Sequence, residues 1–241
     1  EPTTTDTVID ADVIRAYLVP SGAGAEFACA SNRHDVRRNI LWGLLRGAAG
    51  RPVPLARLAE WTGIADRREI RTLLFRLQRD GWLNGDLEPF TMPDDPYDEV
   101  LMSTLGEVSG GQAAVLANAW GLTVAHAACT REQAQRLALA AAALSPLVRT
   151  TGRDATESAL AHIVQSFRDR DGAEFVVRPI YLESMAFFLV LPREQGHDEA
   201  ATDASLHRGP RLDPIAEERS AAFVRLMALL CRRYLGECYR C

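Results

Sequence analysis

Apolar residues recur at helical spacing from residue 36 onward. Val36, Ile40, Leu41 and Leu44 follow Asp35 and predict a helix that Gly47 and the run AAGRP end. Leu55, Leu58, Ala59 and Trp61 predict a short second helix before Thr62–Gly63. Asp66 and Glu69 then stand at capping-box spacing, where a carboxylate can accept from the first free N–H groups. The third helix runs to about Arg79, with Ile70, Leu73, Leu74 and Leu77 as one buried stripe. Asp80–Gly81 stops it, and Trp82–Leu87 reads as an edge strand with a hairpin turn at Asn84–Gly85. Ahead of these lie one short helical prospect, Asp10–Tyr17, and the break PSGAGAEF, so residues 1–30 read as a loosely attached arm.

The stretch PFTMPDDPY places three prolines in nine residues. Proline restricts itself and its predecessor, which makes residues 91–96 the best linker in the chain. Beyond it, Val100, Leu101, Leu105 and Val108 predict one amphipathic helix, ended by Gly110–Gly111. Gln112–Ala119 and Leu122–Ala128 read as a hairpin around Trp120–Gly121. Thr130 to Gln133 is a capping box that opens an alanine-rich helix to about Leu144, near Pro146. Residues 159–168 predict a strand, and Glu174–Leu182 with Met185–Leu191 a second hairpin turning at Glu183–Ser184. The unbroken run Phe187–Val190 predicts an interior strand. Residues 192–213 read as a long polar loop, and a last helix opening at Pro214 carries Phe223, Leu226, Met227, Leu230 and Tyr234 on one face.

The segment PVPLARLAEWTGIADRREIRTLLFRLQRDGWL resembles winged helix-turn-helix domains, with helix 66–79 as the recognition helix and 82–88 as the wing. The later order of helix, hairpin, helix, strand, hairpin, helix resembles the roadblock/LC7 family. The segment GGQAAVLANAWGLTVAHAACTREQAQRLALAAAAL carries its first hairpin and following helix. Together the resemblances imply an α+β chain: an arm at 1–30, a winged helix at 31–90, a linker at 91–96 and a roadblock/LC7-like, profilin-like domain at 97–236. That second domain would hold a five-stranded antiparallel sheet between helices, with residues 237–241 as a cysteine tail. The family departs from this chain in lacking the long 192–213 loop and the fused winged helix.

The sequence has 241 residues, enough for one or two domains, with 27 basic and 32 acidic residues and a formal net charge of -5. That balance argues against a protein that coats nucleic acid, whose affinity comes from many cationic contacts with phosphate. The charge is nonetheless uneven. Residues 31–90 hold 11 basic against 7 acidic groups, and the remainder 16 against 25. The opening EPTTTDTVID lacks both the basic start and the apolar core of a signal peptide, and also an initiator Met. No window is long and apolar enough to span a bilayer, so the expectation is a cytoplasmic chain without membrane insertion.

No phosphate loop of the G-x-x-x-x-G-K-[ST] form, no G-x-S-x-G elbow and no H-E-x-x-H occurs, and the five histidines are scattered. The expectation is a noncatalytic protein without a cofactor. On helix 66–79, Arg67, Arg68, Arg71, Thr72, Arg76 and Arg79 lie off the apolar stripe, where arginine suits guanine edges or phosphates. Asp66 and Glu69 at the same turn would repel phosphate. Cys231, Cys238 and Cys241 give C-x6-C-x2-C, a spacing compatible with zinc, although Cys231 equally fits the core of the last helix.

The roadblock resemblance implies a homodimer through the alanine-rich helix and the strand 159–168. Ala134, Ala138, Ala141, Ala142, Ile163 and Gln165 are the interface residues it points to. It also implies a scaffold or regulator of a small Ras-like GTPase or of a larger protein assembly. The alternative is a DNA-binding transcriptional regulator that reads through helix 66–79 and is dimerised by the second domain.

Overall fold

A computed structural model of the chain describes residues 17–47, 52–86, 90–154, 165–170, 172–193 and 217–236. Among them the chain is α+β, with seven helices and a five-stranded antiparallel sheet. The sheet is built from β3 (Ala114–Asn118), β4 (Thr123–Ala127), β5 (Gln165–Arg168), β6 (Glu174–Leu182) and β7 (Met185–Pro192), in the order β4-β3-β7-β6-β5. β7 is central, and Phe187, Phe188, Leu189 and Val190 are all buried because successive side chains enter cores on both faces. Against one face lies α6 (Arg131–Asp154), with Ala134, Leu137, Ala138 and Ala141 on Val115, Val177, Phe188 and Val190. Against the other lie α5 (Tyr97–Val108) and α7 (Glu217–Leu235), over Leu116, Ile180, Phe187 and Leu189.

The preceding helical unit comprises β1 (Tyr17–Pro20), α1 (Gly22–Cys29), α2 (Val36–Arg46), α3 (Leu55–Thr62), α4 (Arg67–Arg79) and β2 (Leu83–Asp86). Its apolar interior is continuous with the α5/α7 face of the sheet, because α7 packs on both α1 and α2. A half-buried ion pair at 3.2 Å joins Glu26 of α1 to Arg178 of β6, and Arg46 of α2 pairs with Glu183.

The expected hairpin at Asn84–Gly85 does not form. Both residues lie inside β2, which pairs antiparallel with β1, Val19 opposite Asn84 and Leu18 opposite Gly85. The sequence within 82–88 offered no partner strand, and the partner comes instead from the segment read as an arm. Tyr17 accordingly begins a strand, and the rest of the helical prospect at 10–17 lies outside the described residues. The glycine-rich segment read as a break is helix α1. Ser21 caps it, its hydroxyl accepting from the Gly24 N–H at 3.0 Å. Glycine is required at Gly24 because a Cβ there would run into the Trp82 carbonyl, so helix and chain pack at backbone distance. Helix α6 continues past Pro146 to Asp154. A proline removes one rung of the ladder, and the rungs after it close without it.

The start of α2 is held by charge and aromatic surface together. Asp35 caps the helix by accepting from the Arg37 N–H at 2.8 Å, and it also pairs with the Arg37 guanidinium at 2.6 Å. That guanidinium lies 5.1 Å from the Phe27 ring centroid and 5.4 Å from that of Trp82, two rings stacked at 4.0 Å. Burial would raise the Asp35 carboxyl, but the hydrogen bonds from Arg37 outweigh it and hold the group below its usual value of 3.8. The stabilisation is therefore complete above pH 3.8 and is lost as the pH falls through the lowered value. Asp35→Ala should cost about 1 kcal/mol at neutral pH. Denaturant titrations of both proteins should show that gap closing as the medium is acidified below the usual aspartate range.

Candidate functional site

The outward face of α4 is the first candidate surface. Ile70, Leu74 and Leu77 are buried and Leu73 is half-buried, which fixes the helix's rotation. Arg67, Arg68, Arg71, Thr72, Arg76 and Arg79 are all exposed. Asp66 caps the helix, accepting from the Arg68 N–H at 2.9 Å, and Gly63 makes the turn from α3 with a left-handed backbone at φ +70°. Thr72 donates its hydroxyl to the Arg68 carbonyl, and Arg79 is engaged by Asp80 at 3.0 Å. The guanidinium groups of Arg68 and Arg76 have no ion-pair or hydrogen-bond partner among the described residues.

Phe75 stands in the middle of this arginine face with 64% of its surface exposed. Its position off the Ile70/Leu73/Leu74/Leu77 stripe is the signal of that exposure in the sequence. An exposed aromatic among arginines is the composition of energetic centres in protein–protein interfaces. It gains nothing from phosphate.

The second candidate surface is the outside of α6 and the sheet edge at β5. Ala134, Ala138 and Ala141 do not face outward. They are fully buried against the chain's own sheet, where small side chains let the helix lie close to β3 and β7. Ala142 is half-buried and meets the hairpin tip, 3.1 Å from where a Gly121 Cβ would stand. The smallness of Ala134, Ala138 and Ala141 serves packing within one chain. Outside, α6 offers Leu139, 53% exposed, beside an ion pair of Glu132 with Arg136 at 3.1 Å. Trp120 and Leu122 project from the hairpin tip, which Asn118 ties by accepting from both their N–H groups at 3.0 Å.

Gln165 opens β5, opposite Val177 of β6, and β5 is an edge of the sheet. Ile163 and most of the strand expected at 159–168 lie outside the described residues.

Cys231 is fully buried in α7, and burial pushes its thiol up. The buried Cys29 thiol is likewise raised, to about 12. Cys238 and Cys241 lie outside the described residues. Among the described residues no group of three or more His, Cys, Asp or Glu side chains could hold a metal ion. No helix of the described residues is long and apolar enough to cross a membrane. All 27 basic residues are arginine, so chemistry that needs a side-chain amine has nothing in this sequence to carry it.

Compared with protein-family models, with curated proteins and with solved structures, the chain matches none.

The rotation of α4 has a direct thermodynamic signature. Phe75→Ser should change unfolding free energy by no more than about 0.5 kcal/mol, as at other exposed positions. Leu74→Ala, one residue earlier and buried, should cost about 2–5 kcal/mol. Urea unfolding of the two variants reads the difference.

Proposed function

We propose that the protein is a noncatalytic scaffold or regulator that binds a partner protein, most specifically a small Ras-like GTPase, and works as a homodimer of roadblock/LC7-like sheet units. The observation that supports this reading is the layout of residues 97–235. Helix, hairpin, helix, strand, hairpin and helix follow in that order, and the five strands form one antiparallel sheet between α6 on one face and α5 with α7 on the other. In that reading two copies meet through the β5 edges, which removes an unpaired strand edge from each. The outward side chains of α6, Leu139 among them, then take the place that the alanines were expected to fill.

The helical unit supplies the second contact. α3 and α4, joined by a turn at Gly63, have the plan of a helix-turn-helix pair. DNA recognition by α4 is the alternative reading, and the exposed Arg68 and Arg76 favour it. Phe75 favours protein, because a large apolar side chain at the centre of the face is gained by an apolar pocket and wasted on a phosphate backbone.

Affinity purification of the full chain with its native complexes, followed by mass spectrometry, separates these readings. Under the favoured one, a small GTPase is recovered with the wild type, and Phe75→Ser reduces the recovery of α4-bound partners. Recovery of no GTPase would count against it. Under the alternative, the chain binds duplex DNA with an affinity that falls steeply with added salt, and Arg68→Ala with Arg76→Ala abolishes that binding. Absence of duplex binding at low salt removes the alternative.

A further inference from the structure

The edge of the sheet opposite β5 is β4, which has β3 on one side and no strand on the other among the described residues. Sheet edges are ordinarily guarded by charged side chains, proline or a covering element. β4 reads Thr-Val-Ala-His-Ala, with neither a Lys, Arg, Asp or Glu nor a proline. Its outer side opens on a groove of about 750 Å³, floored by residues such as Val124 and His126. One wall is α5, with Asp98 and Met102; the other is α6, with Arg131 and Gln135.

The groove is held open from both sides. Gln135 donates to the Gly121 carbonyl at 2.9 Å, fixing the start of β4 to α6, while α5 packs on the opposite face of the strand. Asp98, Arg131 and Met102 are exposed, the last at 42% of its surface. Asp98 and Arg131 have no ion-pair partner among the described residues, whereas Glu132 is engaged by Arg136. The α5 wall therefore carries the unpaired Asp98, and the α6 wall the unpaired Arg131 beside Glu132, whose charge Arg136 engages.

An unpaired strand edge recognises an extended backbone, and successive side chains of an added strand turn to opposite faces. A second copy is a poor occupant. Symmetric antiparallel pairing of two β4 edges keeps each face on its own side, which puts both Asp98 walls on one face and both Arg131 walls on the other, like charge beside like. A partner with alternating chemistry meets both walls without that conflict.

We propose that the β4 edge is a docking groove for an extended segment of a partner protein, which adds as a sixth strand. Its basic and apolar side chains face Asp98 and Met102, and its acidic and polar side chains face Arg131 and Gln135. This surface lies on the edge opposite the one assigned to dimerisation, so it goes beyond the function proposed above and stands or falls separately from it.

The test uses the full chain and a fluorescently labelled, capped octapeptide in which arginine and valine alternate with glutamate and threonine. Saturable binding by anisotropy is expected, with new hydrogen-exchange protection in the β4 amides. Methylating alternate peptide nitrogens should abolish binding, because the strand's hydrogen bonds are then lost. The double variant Asp98→Arg, Arg131→Glu changes two exposed residues and leaves the fold intact. It should weaken the probe by about tenfold and strengthen a peptide whose charged positions are exchanged by a similar factor. No saturable binding, equal binding of the methylated peptide, indifference to the charge exchange, or protection at another site each overturns the proposal. So does β4 protection that grows with protein concentration in the absence of peptide, which would identify a second copy as the occupant.

Discussion

Helix α7 is apolar almost all round, and the rest of the architecture follows from the need to cover it. From Ala222 to Cys231 every residue but Arg225 is buried. A helix with one apolar stripe is satisfied by a single neighbour; one without a polar face must be enclosed. The sheet and α5 cover one side of α7, and α1 and α2 cover the other. Each large side chain so buried contributes about 1.5–3 kcal/mol, so a helical unit detached from α7 would expose several such groups on both surfaces. The close approach is visible at Gly22, where a Cβ would strike Ser220 of α7.

Enclosing α7 decides which surfaces remain available. With α5, α7 and the helical unit on one face of the sheet and α6 on the other, both faces are occupied, and only the edges β4 and β5 stay open among the described residues. α4 packs on α3 and β2, which leaves its arginine and Phe75 face directed to solvent. The sequence's uneven charge then has a physical place. The basic surplus of residues 31–90 is concentrated on that one helix, in a chain that is acidic overall.

Local signals in the sequence were sufficient where local interactions decide the outcome. The Asp35 and Asp66 caps, the stripe of α4, the Trp120–Gly121 turn and the central apolar strand at 187–190 all stand in the structure at those residues. Long-range partners were not legible. Asn84–Gly85 has the local chemistry of a hairpin, but β1, some sixty residues earlier, supplies the pairing strand. The glycines of α1 read as breakers because their reason lies across the interface, at Trp82 and Ser220. The alanines of α6 are a related case: small residues permit close approach, and spacing alone does not say whether the surface approached belongs to the same chain or to another.

The functional reading turns on two copies meeting through the β5 edge, which would place two α4 faces and two β4 grooves on one particle. Light scattering across the micromolar range measures this most directly. The account predicts twice the mass of one chain, and a fall towards a single mass when Ser166 or Phe167 of β5 is replaced by proline, provided the far-ultraviolet circular dichroism of the variant is unchanged. The mass of one chain at every concentration would contradict it.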